Sequence, residues 1–383
     1  MILKRIRPRR AALSFSYNFY AMRNSKRNKL IIYAALIGCV IIFSAHGIYT
    51  LNSVREQKNN FARKFIPIIS NPYGSWKHNK TFINISGITS DTIYFQSSKA
   101  GTIIKSDILL TKFISEKYFS SQEMSVISHC QCDINLFGVF FFLGNKPAIY
   151  CGKINGMLNQ YLFPRGTFIR SCAISDKEVV FKGFDTGLHS GNPMFFRGNM
   201  QTKQIIVEND QNILDTDGLI ASDGLLNYDS NSHRLIYLYF YKNKFLCLDT
   251  TLHLIYTGNT IDTIARVNTK YAARTQNGFT TLTNVTPKRT VNNQCCVTNG
   301  LLFSNSYLKA DNEHPSDFSS NDVIDIYRIV DGKYIGSFYV PKVAGHHLLK
   351  FKIENSVLVV LYRDVAESFH LNWSCLKKGA IQY

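Results

Sequence analysis

Acid is what this chain has least of. Its 383 residues hold 26 Asp and Glu against 44 Lys and Arg, a net charge of +18, and the first 29 residues contain no acid at all. Charged residues are 18% of the total and hydrophobic ones 45%, a balance that excludes gross disorder. Sustained apolar spacing at i, i+3, i+4 and i+7 is missing outside one segment, which argues against a helical bundle. Several local motifs are also missing. There is no Gly-x-Gly-x-x-Gly, no phosphate-binding Walker loop, no Gly-x-Ser-x-Gly, no His-Glu-x-x-His and no Cys-x-x-Cys. Function therefore has to be read from organisation rather than from a catalytic signature.

The excess of base is not evenly spread. Nine basic residues (Lys4, Arg5, Arg7, Arg9, Arg10, Arg23, Lys26, Arg27 and Lys29) sit in residues 1–29, leaving 35 basic and 26 acidic residues for everything beyond. A nucleic-acid reader needs a stripe of charge on a folded face, so nucleic acid is not an expected partner. A basic tail directly before an apolar segment instead reads as a cytoplasmic anchor flank with affinity for anionic lipid head groups.

That apolar segment is Leu30–Leu51, LIIYAALIGCVIIFSAHGIYTL, 22 residues without Asp, Glu, Lys or Arg. About 20 apolar residues cross the hydrocarbon core at a helical rise of ~1.5 Å each. The segment predicts a single-pass signal anchor in the inner membrane, N-terminus cytoplasmic and the bulk of the chain on the far side. Two other readings export the same domain. Leu36-Ile37-Gly38-Cys39 resembles a lipobox, with a start at Met22 and lipidation at Cys39. Ala45-His46-Gly47 resembles a signal-peptidase site.

The exported part has strand composition. Phe (27) and Tyr (21) are frequent and fall in short runs with Ile, Val and Thr, side chains that suit a pleated surface. Residues 82–95 (FINISGITSDTIYF) and 168–181 (FIRSCAISDKEVVF) align without a gap. The same strand–turn–strand shape returns at 126–142, 218–241, 292–303 and 347–362. Second strands begin near Thr92, Leu136, Glu178, Arg234, Gly300 and Val357, a mean interval of 53 residues. A recurrence of that length with about four strands per unit predicts propeller blades. Arg234–Tyr241, Lys244–Leu248 and Leu252–Thr257 read as a meander, and Val323–Val330 with Lys333–Val340 as a hairpin across Asp331-Gly332. Residues 263–288 and 308–321 fit less well and are expected as loops on one rim. Two tandem β-sandwiches are the competing architecture.

The domain expectation is a basic tail at 1–29, a transmembrane helix at 30–51, a stalk at 52–75, an all-β, six-bladed propeller at 76–375 and a C-terminal tail at 376–383. The stretches NNFARKF (59–65), ISGITSDTIYF (85–95), FLCLDTTLHLIYTGNTIDT (245–263), VTNGLLFSNSYLKADNE (297–313) and DVIDIYRIVDGKYIGSFYVP (322–341) resemble a family of membrane-anchored, TolB-like six-bladed propellers from Bacteroidetes. The resemblance covers essentially the whole exported domain. It implies a bacterial envelope protein, and it supplies no catalytic residue.

Candidate chemistry is sparse. Cys130, Cys132, Cys172, Cys295 and Cys296 are placed by the repeat on or just after the first strand of a unit, which lines a propeller channel. A redox or metal site there, helped by His129, competes with plain buried thiols. Cys130 and Cys132 should share a face, and Cys295 and Cys296 should point to opposite faces. Asp215-Thr216-Asp217-Gly218 reads as a turn, with a divalent-cation site as the sharper alternative. His346-His347 is expected to open a strand. Asn79, Asn84, Asn284 and Asn372 begin glycosylation sequons, meaningful only in a eukaryote. No catalytic, cofactor-binding or metal residue is assigned, and no cofactor is expected. The expected function is a binding or scaffold protein for a periplasmic partner or ligand. The alternatives are a propeller hydrolase or lyase with its site at the channel mouth, and a glycosyltransferase using Asp215 and Asp217.

Overall fold

A computed structural model of the chain describes residues 29, 31–34, 36–44, 58–119, 130–144, 147–185, 193–207, 213–214, 221–267, 271–276, 279–284 and 289–379. The chain divides into two units, Met1–Lys58 and Asn59–Tyr383. In the first, residues 31–34 and 36–44 are helical, and Leu36, Ile37, Val40, Ile41, Ile42 and Phe43 are all exposed. Among the described residues no helix is long and apolar enough to cross a membrane. Leu30, Ala35 and 45–51 of the expected span lie outside the described residues, as does most of the basic tail.

The second unit is an all-β, six-bladed propeller. Strand β1 (Ile69–Lys77) comes first in sequence but belongs to the last blade. Blade 1 follows as β2 (Phe82–Thr89), β3 (Thr92–Ser97), β4 (Thr102–Asp107) and β5 (Phe113–Lys117). Blade 2 is β6 (Cys130–Asn135), β7 (Gly138–Leu143), β8 (Ala148–Gly152) and β9 (Asn159–Leu162). Blade 3 is β10 (Arg170–Ala173), β11 (Glu178–Gly183), β12 (Met194–Asn199) and β13 (Ile205–Val207). Blade 4 is β14 (Gly224–Asp229), β15 (Arg234–Tyr239), β16 (Phe245–Leu248) and β17 (Leu254–Gly258). A separate hairpin, β18 (Tyr271–Gln276) and β19 (Phe279–Asn284), precedes blade 5, which is β20 (Asn292–Thr298), β21 (Leu301–Ser306), β22 (Asn321–Arg328) and β23 (Tyr334–Pro341). Blade 6 is β24 (Lys350–Glu354), β25 (Val357–Leu361) and β26 (Val365–Leu371), completed on its outer edge by β1. The first strand of the domain thus hydrogen-bonds to the last, which closes the ring.

The sequence repeat is physically explained by how the blades bury their faces. In β7 every residue is buried, and alternate side chains serve opposite neighbours. Val139, Phe141 and Leu143 pack toward blade 1 with Tyr94 and Ile103, while Phe140 and Phe142 pack toward blade 3 with Phe181 and Phe196. Each of the six interfaces holds one such cluster, including Phe95 and Ile93 of blade 1 against Val359 and Leu361 of blade 6. A lone four-stranded sheet leaves one or both faces wet, so the blades are stable only as neighbours.

Two expectations about boundaries change. Residues 59–75, read as stalk, are part of the folded body. Ile66 N–H donates to Ser337 O and Ser337 N–H to Lys64 O, both 2.8 Å, so the segment adds a short parallel pairing beside β23. Phe61, Arg63, Ile66 and Ile68 are buried, and Phe65 stacks on Tyr339 at 4.3 Å. Apolar residues interleaved with polar ones are what an edge strand over a core requires. Of the two poorly fitting stretches, 263–288 contains the β18–β19 hairpin and 308–321 contains a short helix, Pro315–Ser320, capped by His314.

Candidate functional site

The innermost strands β2, β6, β10, β14, β20 and β24 stand side by side around a central channel. Each has one edge paired within its blade and one edge facing its neighbours, whose backbone groups need partners. Side-chain hydrogen bonds join the blades around the whole ring, and most of them satisfy such a backbone group. Lys352 Nζ donates to Ser86 O at 3.0 Å, joining blade 6 to blade 1, and Gln96 Nε2 donates to Cys130 O at 3.0 Å, joining blade 1 to blade 2. Gln131 Nε2 donates to Ser171 O at 3.0 Å and Arg170 Nε to Gly224 O at 2.8 Å, carrying the chain of contacts to blade 4. Asn227 Nδ2 lies 3.1 Å from Cys295 Sγ, and Ile353 N–H donates to Cys296 Sγ at 3.4 Å, which completes the circle. Gly87 serves the same closeness by having no side chain, since a Cβ there would lie 2.0 Å from Ile134 O.

Two cavities of about 480 and 430 Å³ open from the channel, and Gln131, Asp133, Asn227 and Lys352 line both. At this waist Lys352 Nζ lies 3.0 Å from Asp133 Oδ1, an ion pair reaching from blade 6 to blade 2. Burial pulls the Lys352 pKa down, but Asp133, Cys296 and Glu354 outweigh it and hold the ammonium above its usual value.

The two mouths differ in sign. The larger cavity lies at the N-terminal ends of the inner strands, and its ionised lining apart from the waist pair is Arg170 and Lys350. Blades 3 and 6 are opposite in a ring of six, so these cations face each other across the opening. Lys350 Nζ donates to Gln294 Oε1 at 3.2 Å and has no carboxylate partner among the described residues. Burial and then Arg170 push its pKa down. Arg170 also lies 3.5 Å from Asp223 and over the Phe240 ring at 5.5 Å. The smaller cavity lies at the opposite ends of the strands and carries Asp229 and Glu354. Asp229 Oδ2 accepts from Ser232 and from Gly300 N–H at 3.1 Å, which fastens the turn of blade 4 to that of blade 5. Burial, with Asp229 nearby, pushes Glu354 up, against the pull of Lys352.

The loops divide in the same way. Around the acidic mouth the turns are tight, as at 90–91, 136–137, 299–300 and 355–356. Asn299 and Gly300 both have positive φ, 52° and 72°, the conformation a two-residue hairpin turn needs. The connections that lead into β6, β14 and β20 are longer in sequence, and parts of them lie outside the described residues.

No protein-family model and no curated protein matches the sequence. Many solved structures match it at low identity. A member of the DUF4221 family from Bacteroides vulgatus is 10% identical, covers 82% of this chain and 99% of its own, and superposes with a TM-score of 0.48. A protein of unknown function from Bacteroides thetaiotaomicron is 9% identical over 80% of this chain and 75% of its own, TM-score 0.48. Virginiamycin B lyase from Staphylococcus aureus is 9% identical over 78% of this chain and 98% of its own, TM-score 0.45. At these identities the likeness concerns the fold.

The cysteines lie where the repeat put them. Cys130, Cys132, Cys172, Cys295 and Cys296 are on inner strands and line one or both cavities. Cys130 and Cys132 pack into one core, whereas Cys295 and Cys296 pack into the cores on either side of blade 5. None is in a disulfide. Burial pushes the thiols up, to about 11 for Cys130 and Cys296, so they are protonated at neutral pH and behave as small buried groups. No group of three or more His, Cys, Asp or Glu with metal-binding geometry occurs among the described residues. His129, Asp215 and Asp217 lie outside them. His346 and His347 precede β24 rather than opening it, and His347 Nδ1 lies 2.5 Å from Asp322. Among the described residues every pairing of named strands is antiparallel, and the one parallel contact is the single bridge Phe65–Ser337, so the parallel α/β framework that a glycosyltransferase reading requires is missing from them. Sequence reasoning missed Arg170, Lys350, Lys352 and Asp133. Each looks like an ordinary polar residue on a short strand.

Proposed function

We propose that the chain is an envelope-anchored β-propeller that binds a partner or ligand at the basic mouth of its channel and performs no chemistry on it. The observation that carries this reading is the state of the channel's ionisable groups. Lys352 is paired, Asp229 ties two turns together, the thiols are protonated, and no histidine lines either cavity among the described residues. Among the described residues no nucleophile stands beside a base there, whereas amides and cations form a recognition surface. The charge-free segment 30–51 supports the anchor, and the basic tail supports a cytoplasmic N-terminus with the propeller in the periplasm. The second reading, a hydrolase or lyase, rests on Lys350, whose lowered pKa is also what a catalytic amine needs.

A photoreactive amino acid tests the site. Placed at Ile83, exposed at the basic mouth, it should crosslink a specific molecule in intact cells; placed at Leu136, exposed at the acidic mouth, it should not. Equal labelling from both positions, or a product chemically altered by the protein, would count against the reading.

A further inference from the structure

We infer that the basic mouth holds an oxyanion, a carboxylate or phosphate group, between Lys350 and Arg170 on opposite sides of the ring. This rests on the binding reading above and adds the ligand's chemical class. All six blades contribute a polar side chain to the 480 Å³ cavity: Asn84, Gln131, Arg170, Asn227, Gln294 and Lys350. The volume is in the range of small-ligand sites. Gln131 and Asn227 each keep one amide N–H beyond their bonds to Ser171 O and Cys295 Sγ, and among the described residues the one carboxylate lining the cavity, Asp133, is paired with Lys352.

The argument turns on Lys350. Its single hydrogen bond, to Gln294, leaves two of the three ammonium donors without a protein acceptor among the described residues. It is half-buried and faces the guanidinium of Arg170, whose charge Asp223 offsets in part from 3.5 Å away, so the mouth keeps an excess of positive charge in a site of reduced dielectric. An anion between them would relieve that repulsion. A cation would increase it, and a neutral ligand would leave it unchanged. Arg170 is held in place by Gly224 O, Ile169 O, Asp223 and Phe240, so it is preorganised rather than free to swing away, and an anion would share it with Asp223. The acidic mouth provides the internal control, since Glu354 and Asp229 should repel the same ligand.

Calorimetric titration of the full chain in a non-ionic detergent tests this with three probes: inorganic phosphate, succinate, and a neutral sugar such as maltose. Phosphate or succinate should bind, K350Q should weaken binding at least tenfold, and E354Q should leave it unchanged. Comparing phosphate with succinate separates the two sources of oxyanion. Unliganded K350Q should unfold at or above the wild-type temperature, because it loses a cation that faces another. Anion binding that K350Q leaves intact would overturn the assignment, and so would no anion binding at all. Binding of maltose alone, abolished by K350Q, would overturn the oxyanion while leaving the basic mouth as the binding site. Failure of crosslinking from Ile83 would reach the broader reading independently.

Discussion

Replacing Arg63 by methionine removes the cation at the centre of a buried ion cluster and leaves two carboxylates behind. The Arg63 side chain is fully enclosed. Its Nε and Nη2 donate to Asp325 at 2.8 and 3.1 Å, and its Nη1 donates to Glu313 at 2.5 Å and to Leu308 O at 2.8 Å. Burial lowers the guanidinium pKa, but the two carboxylates more than reverse that, and the net shift is upward. These contacts tie residues 59–68 to blade 5 across about 250 positions of sequence. Methionine keeps most of the apolar stem, so the loss is chiefly electrostatic. Breaking a buried pair in this way costs about 3–5 kcal/mol. For a domain of this size that corresponds to a fall of roughly 4–7 °C in the unfolding midpoint. Thermal unfolding at a fixed scan rate measures it, and trypsin cleavage after Lys58 and Lys64 should accelerate in parallel. Neutralising the stranded acids in R63M/E313Q/D325N should recover at least half of the loss, because the penalty comes from uncompensated charge. An R63M variant within about 1 kcal/mol of wild type, with unchanged proteolysis, would refute the claim that this cluster holds the segment.

Other expectations follow from buried charge elsewhere. Lys182, enclosed between Ser222 O at 2.6 Å and Tyr237 Oη at 2.8 Å, has its pKa lowered by burial to about 8. The unfolded chain, with a lysine near 10.4, binds more protons above pH 8. Stability should therefore rise between about pH 8 and 10.4, by roughly 3 kcal/mol from this group. Wild type and K182M should both lose stability as the pH passes the unfolded-state thiol pKa, since burial raises the folded thiols, so the Lys182 contribution is read as the difference: denaturant unfolding at pH 7, 8.5 and 10 should shift in favour of wild type over K182M by that amount. Lys352 has the opposite sign. Its raised pKa means that its contribution is complete below about pH 10.4 and lost as pH climbs beyond the folded value. K352M should lower the unfolding free energy at pH 7 by about 1–3 kcal/mol by stranding Asp133, and D133N/K352M should restore part of it. Gly87→Val should destabilise the ring by more than about 2 kcal/mol, since the new side chain would meet the backbone of Ile134. Within the propeller, Cys375 should react first with a thiol reagent in the native state, and the buried inner-strand cysteines only on unfolding, whether or not a reductant is present.

The architecture was legible because its causes are local. Second strands expected at Thr92, Glu178, Arg234 and Val357 begin at those residues, and those expected at Leu136 and Gly300 begin within two positions. Alternation of period two and tight turns are written in consecutive residues, and a sheet that is apolar on both faces demands neighbours. The pairing of Cys130 with Cys132 on one face, and the separation of Cys295 from Cys296, follow from the same alternation. What the sequence could not reveal are the features made by residues far apart in it. Arg63 sits in a polar, basic run that reads as solvated, and only its meeting with Glu313 and Asp325 makes it a buried anchor. Lys352 and Asp133 are separated by 219 positions. Arg170 and Lys350 lie on strands from opposite blades, and nothing in either strand marks it as half of a site. Ring closure alone turns six unpaired strand edges inward. The charge of the two mouths is therefore a property of the closed circle, while the blades that build it are a property of the sequence.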